Sequence, residues 1–220
     1  MSCKWQYFKG SIAWLATSWM RREATFKFDG GEYEYCDRLY NFTPFNERRV
    51  EIPVVRRALA GHGEGNVLEV GNVLSHYMPI AHRVIDKYER ASFPGFANAD
   101  AVTYRSESAF DLIISISTIE HIGRDESPGA PDRVAAALAN LVSLLSRGGE
   151  LLCSFPVGYN SRLDRLVLNA EIPRKKVGFM RRTSWRNEWV ETDSSDAARA
   201  RFGHPYPFAN VVCFIWLGPV

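Results

Sequence analysis

The chain has 220 residues, 46% of them hydrophobic, 13% aromatic and 24% charged, enough apolar material for one well-buried core. Its 27 Lys and Arg against 25 Asp and Glu leave a formal charge of only +2, which argues against a protein that coats nucleic acid or an anionic membrane. Of the cations, 21 are Arg, a surplus that suits planar stacking and equally follows from the codon usage of a GC-rich genome.

Residues 1–46 are aromatic and irregular (KWQYF, IAWLATSW, FKFDGGEYEY, LYNFTPF) and are expected to form an N-terminal cap, with Gly30 and Gly31 turning between two short strands. Two Trp, two Ser and the following Arg21 and Arg22 make Ser11 to Met20 a poor signal peptide. Asn46 is placed to cap a helix over Glu47 to Ala60, closed by Gly61, in which Pro53 calls for a kink or a later start.

In the middle of the chain, short β-branched runs alternate with longer segments, as in a parallel α/β sheet. Val67 to Val70, Arg83 to Ile85, Phe110 to Ser117 and Glu150 to Phe155 read as strands. The clearest helix opens at Pro131 and Asp132, carries Val134, Leu138, Leu141, Val142 and Leu145 at helical spacing, and stops at Gly148 and Gly149. Then come a short helix near Leu163 to Leu168, a hairpin from Lys176 to Glu191, a helix from Ser194 to Arg201, and a last strand, Asn210 to Leu217. That strand follows a long excursion, so it is expected to lie antiparallel at or near the sheet edge.

The expected architecture is a single domain: a Rossmann-like, mostly parallel sheet with helices on both faces and an antiparallel C-terminal strand. The cap is residues 1–46, the core 47–157 and the remainder 158–220. The longest wholly apolar stretch, Val211 to Leu217, is well short of the roughly 20 residues of a membrane helix. Four dispersed Cys with no CxxC spacing suit a reducing, cytoplasmic setting.

Four features fall at strand ends, where open α/β sheets bind ligands. They are Glu69-Val70-Gly71-Asn72 after the first core strand, Asp86 after the second, Asp100 before the next, and Ser117-Thr118-Ile119-Glu120-His121. Gly71 allows close backbone approach, and a carboxylate at Asp86 suits ribose hydroxyls. Alone, VLEVGN would also fit an ordinary strand leaving through a glycine turn.

With FDLIIS (Phe110 to Ser115) and GGELL (Gly148 to Leu152), these features resemble a class I S-adenosylmethionine-dependent methyltransferase. VLEVGNVLSHY, VIDKYE, STIEHIGRDE and HPYPFAN more narrowly resemble small bacterial methyltransferases found among sugar and polysaccharide genes. The resemblance implies S-adenosylmethionine as cofactor. Gly71, Val70 and Asn72 would line its methionine part with Glu69 near the amino group, Asp86 would take the ribose, Asp100 and Ala101 would face adenine, and Ser115 would close the pocket.

The chain departs from that pattern in its short glycine loop and in the 13 residues between Asp86 and Asp100, too few for a full crossover helix. The fold should be trimmed on that face.

His121 is the candidate general base for O-methylation, with Glu120 as its orienting or metal-binding neighbour. Ser117 stands where some relatives carry the first Glu of a metal-binding Glu-x-x-Glu-His, so a divalent metal such as Mg²⁺ would need Asp125 or Glu126. His76, Tyr159, Asn160, Tyr206 and Asn210 are candidate acceptor contacts, while His62 and His82 read as surface or structural. The expected acceptor is a sugar or oligosaccharide, with a phenol, an amine or a non-catalytic binding module as alternatives. No nucleic-acid or membrane partner is expected, and a homo-oligomer is compatible with the sequence.

Overall fold

A computed structural model describes residues 24–63, 65–125 and 132–219. Ten strands and four helices follow one another: β1 (Thr25–Phe28), β2 (Gly31–Glu34), α1 (Arg48–Gly61), β3 (Val67–Val70), β4 (Arg83–Asp86), β5 (Phe96–Asn98), β6 (Phe110–Ile116), α2 (Arg133–Ser143), β7 (Leu145–Pro156), α3 (Ser161–Leu168), β8 (Lys176–Arg182), β9 (Trp189–Thr192), α4 (Ser194–Arg199) and β10 (Val211–Leu217). β3 to β10 form one sheet in the order β5-β4-β3-β6-β7-β10-β8-β9. The first five in that order are parallel, and β10, β8 and β9 are antiparallel. The chain enters at β3, runs outward to β5, then jumps back across β3 to β6. The switch point of this Rossmann-like sheet is therefore the crevice beyond the carboxyl ends of β3 and β6.

β10 is antiparallel, as expected, but lies two strands in from the edge, bonded on both sides. VVCFIWL is buried along almost its whole length, which an interior strand requires, and the short, partly charged β9 takes the edge.

One face of the sheet is covered by α2, α3 and α4, whose Leu138, Leu141, Leu163 and Ala197 join Phe110, Leu151 and Val211. The other is covered by α1 and the β1–β2 hairpin, where Phe28 meets Phe214 at 4.8 Å. The described part of the aromatic cap thus covers the face that lacks crossover helices; residues 1–23 lie outside the described residues. Between β3 and β4 there is only a 3₁₀ turn, Leu74–His76, and between β4 and β5 no helix, as the short spacings imply. β5 itself, three partly exposed residues, carries no readable strand pattern.

Pro53 neither kinks nor delays α1. It has no N–H to offer the Arg49 carbonyl, and that carbonyl instead accepts the Cys36 amide at 3.0 Å, tying the cap to the helix. Asn46 caps from just outside, its Oδ1 taking the Arg48 amide at 3.0 Å.

α2 ends at Ser143, and β7 begins at Leu145, earlier than the glycines suggest. Gly148 and Gly149 lie inside β7, where a Cβ on Gly149 would come within 2.6 Å of the Phe110 carbonyl. Gly149 thus serves close strand approach, Gly148 has open space around it, and neither ends the helix. Among the described residues no helix is long and apolar enough to cross a membrane.

Candidate functional site

A cleft of about 540 Å³ opens at the switch point. Val70 and Gly71 form its inner end, Asp86 to Glu89 one wall, Ala99 to Ala101 another, and Thr118, His121, Ile122 and Asp125 the third. Gly71 has φ +88°, and a Cβ there would lie 2.2 Å from Thr118 Oγ1, so only glycine fits between β3 and the turn after β6.

Asp86 is held rigidly. Its Oδ1 accepts the amides of Tyr88 (2.8 Å) and Glu89 (2.7 Å), and its Oδ2 that of Asn72 (3.2 Å). Asp100 Oδ1 takes the Val102 amide at 2.9 Å, and Oδ2 pairs with Arg133 (2.6 Å) and Lys87 (3.0 Å). Burial pushes Asp100 up, but the Val102 amide, Lys87 and Arg133 outweigh it and hold the carboxyl below its ordinary value.

Three residues grouped with these by sequence do not line the cleft. Glu69 is wholly buried beneath the glycine turn, its Oε1 accepting the Val73 and Leu74 amides at 2.8 and 2.7 Å and its Oε2 facing His82 Nε2 at 2.8 Å. Asn72 gives its side-chain amide to Glu89 at 2.6 Å. Ser115 is fully buried within β6, and its Oγ has no partner among the described residues.

After β6 the chain bends at Ser117, whose φ of +35° is uncommon for a side-chain-bearing residue. A 3₁₀ turn, Ile119–His121, follows, and sends Glu120 inward and His121 outward. His121 Nδ1 lies 2.6 Å from Asp125 Oδ2, whereas Nε2 is 3.8 Å from Glu120 Oε1, too long for a hydrogen bond. Asp125, and not Glu120, orients the ring through Nδ1, and Nε2 has no hydrogen-bond partner among the described residues.

The His121 contact, more than burial, holds the Asp125 carboxyl below its usual range. The Tyr159 hydroxyl completes the group, 3.2 Å from both His121 Nδ1 and Asp125 Oδ2. Burial and Asp125 push the Tyr159 phenol up, keeping it a donor.

A second, smaller pocket of about 220 Å³ lies on the other side of His121. Glu47, Arg48, Ser117 and Glu120 line it, with Tyr159, Phe42, Phe202 and Phe208 around them. Among the described residues His121 alone lines both cavities. Behind Ser117 sits Glu51, wholly buried, accepting the Ser117 hydroxyl at 2.7 Å; burial, only partly offset by Arg48, pushes its carboxyl up to about 7. Burial likewise raises Glu120 well above the ordinary carboxylate value. Sequence reasoning did not single out Glu47, Glu51, Phe42, Phe202 or Phe208, because three separate segments bring them together.

The other candidates lie elsewhere or act in packing. His76 stacks on Tyr40 and meets Glu89 at 3.2 Å, beside the cleft wall. Asn160 caps α3 through its Oδ1 and donates to the Glu120 carbonyl at 2.7 Å. Tyr206 and Asn210 line a separate cavity with Arg181, Arg199 and His204, and Asn210 ties the 201–208 loop through its carbonyls. No group of three His, Cys, Asp or Glu is arranged to hold a metal among the described residues, and Glu126 lies outside them.

No protein-family model matches the chain, and no curated protein does. Among solved structures it is similar to the N-methyltransferase NodS from Bradyrhizobium japonicum WM9 in complex with S-adenosyl-L-homocysteine, at 15% identity over 79% of this chain and 86% of that one, with a TM-score of 0.49. It is also similar to an S-adenosylmethionine-dependent methyltransferase from Clostridium acetobutylicum ATCC 824 (10% identity, 76% and 89% covered, TM-score 0.40). A third is the plantazolicin methyltransferase BpumL in complex with a triazolic desmethylPZN analog and SAH (13% identity, 75% and 81% covered, TM-score 0.43). The likeness is remote, and what the cleft takes is decided by its own side chains.

Proposed function

We propose that the chain is a single-domain S-adenosylmethionine-dependent methyltransferase acting on a small acceptor, with His121 as general base. The carrying observation is the placement of His121 between a large cleft and a small pocket, with its Nδ1 engaged by Asp125 and its Nε2 without a hydrogen-bond partner among the described residues. The cleft suits the cofactor. Asp86 would hold the ribose hydroxyls, Asp100 and Ala101 would face the adenine, and the backbone at Val70 and Gly71 would receive the methionine part. When bound, the cofactor supplies an electrophilic methyl group on a sulfonium.

The chain's own part is to bring the acceptor to that end of the cleft and accept its proton at His121 Nε2, with Asp125 stabilising the charged ring. Tyr159 fixes both partners.

A hydroxyl on a sugar or oligosaccharide is the acceptor we favour, because the pocket takes a compact group and the exposed rings of Phe42, Phe202 and Phe208 offer faces for a sugar to stack on. An amine is the second reading, favoured by the buried carboxyls of the same pocket. Cys36, Cys153 and Cys213 are free thiols, in keeping with a reducing cytoplasm, and a sugar acceptor would place the enzyme in bacterial polysaccharide biosynthesis.

The test is methyl transfer from labelled S-adenosylmethionine to a panel of sugars, phenols and amines. His121→Ala should lower turnover by roughly a hundredfold or more while leaving S-adenosylhomocysteine affinity within a few-fold. A variant that keeps full turnover refutes the base assignment.

A further inference from the structure

The small pocket carries an unexplained charge arrangement. Glu120 is 1% exposed, and its Oε2 has no hydrogen-bond partner among the described residues, although buried carboxyl oxygens are ordinarily satisfied. Glu120 lines the pocket together with Glu47, and Glu51 lies directly behind Ser117. Arg48, His121 and Tyr159 line the same pocket. Arg48 offsets the burial of Glu120 only in part and makes no ion pair with it: its guanidinium donates to the Ile116 carbonyl at 2.6 Å and the Ser117 carbonyl at 3.3 Å, and among the described residues it pairs with Glu51 at 3.7 Å. Glu47 gives one oxygen to the Ala209 amide at 3.1 Å.

A buried carboxyl without a partner is relieved either by keeping its proton or by receiving a cation. Its setting favours the cation. The rings of Phe42, Phe202 and Phe208 stand around the same cavity and expose 69%, 37% and 38% of their surface, so they can present faces to an incoming ammonium. A neutral hydroxyl alone would gain nothing from the acids, whereas a sugar-like acceptor that also carries an amine would use both the acids and the ring faces.

We propose that the pocket beside His121 recognises a cationic acceptor, an amine-bearing small molecule whose ammonium lies against Glu120 and Glu47 within the aromatic collar. The inference rests on the methyltransferase reading only in calling the bound molecule an acceptor. Glu120 is then a substrate-recognition residue, which accounts for its inward position and leaves the orientation of His121 to Asp125. Burial pushes the Glu120 carboxyl well above its ordinary value, and an ammonium beside it would favour the charged form.

The probes are cyclohexylamine and its neutral counterpart cyclohexanol, titrated calorimetrically at pH 7.5 into the full chain, with and without saturating S-adenosylhomocysteine. The amine should bind at least roughly tenfold more tightly than the alcohol. Glu120→Gln should abolish that preference, and Glu47→Gln should reduce it, which keeps the test sound if the first variant fails to fold. Equal binding of the two probes, or a preference retained in both variants, overturns the proposal. Displacement of the amine by Mg²⁺ at lower concentration also overturns it, since the acids would then be a metal site. Failure of S-adenosylhomocysteine to bind while the amine preference persists refutes the methyltransferase reading and upholds this one.

Discussion

Replacing Glu51 by Gln should make the protein more stable at neutral pH, an unusual outcome for a wholly buried hydrogen-bonded residue. Burial is the largest influence on this carboxyl, Arg48 pulls the other way, Glu47 adds to burial, and the result is about 7 against an ordinary 4.5. The native state therefore holds a proton that the unfolded chain has released. The contribution of Glu51 is fully present below about pH 4.5 and is lost as pH rises through 7.

The difference of 2.5 between those two values, at about 1.4 kcal/mol each, puts the loss at roughly 3 kcal/mol by pH 8. Gln retains an acceptor for the Ser117 hydroxyl and carries no charge, so its stability should lack this slope. Urea unfolding followed by Trp fluorescence, from pH 5 to pH 8, measures it. The variant should match the wild type near pH 5 and exceed it by about 2–3 kcal/mol at pH 8. Parallel pH profiles for the two proteins would refute the reasoning.

Gly71→Ala should destabilise by at least about 1–2 kcal/mol from its left-handed backbone alone, and further through the collision with Thr118. Thr118→Gly in the same chain should return the collision part, measurable as a thermal-unfolding double-mutant cycle. Asp125→Asn removes the charge that orients and supports His121, so turnover should fall by roughly tenfold or more while the wild-type and variant pH profiles diverge. Arg49 is fully buried, pairs with Asp37 at 2.7 Å and donates to the Asn187 carbonyl at 2.6 Å; Arg49→Met should cost roughly 3 kcal/mol in chemical denaturation.

The sheet could be read from the chain because its evidence is local. VLEV, RVI and FDLIISI are largely apolar runs that end at Gly71, Asp86 and Ser117, and burial on both faces is what such runs require. The same logic located Gly71, Asp86 and Asp100 at one cleft. Glu69 was legible as a strand-end acid, but not its burial under the loop, since that depends on His82 arriving from the next strand.

Asp125 was harder to recognise as the partner of His121. The two belong to a turn, where a spacing of four has no fixed geometry, and the immediate neighbour Glu120 is sent inward by the bend at Ser117. The acceptor-side pocket was illegible for a topological reason. Phe42, Glu47, Phe202 and Phe208 meet only after the cap and the 201–208 loop close over the end of β6, and no periodicity in any one segment records that meeting. Tyr206 and Asn210, expected as acceptor contacts, share the loop with Phe208 yet line a different cavity.

Calorimetric titration of S-adenosylhomocysteine into the wild-type chain and into Asp86→Ala tests the central claim most directly. Asp86 sits in the cleft with its carboxylate fixed by three backbone amides, so a bound ribose would find it already oriented. The account predicts micromolar binding to the wild type, weakened roughly tenfold to a hundredfold in the variant. Absence of binding below millimolar concentration in the wild type, or equal affinity in the two proteins, would contradict it.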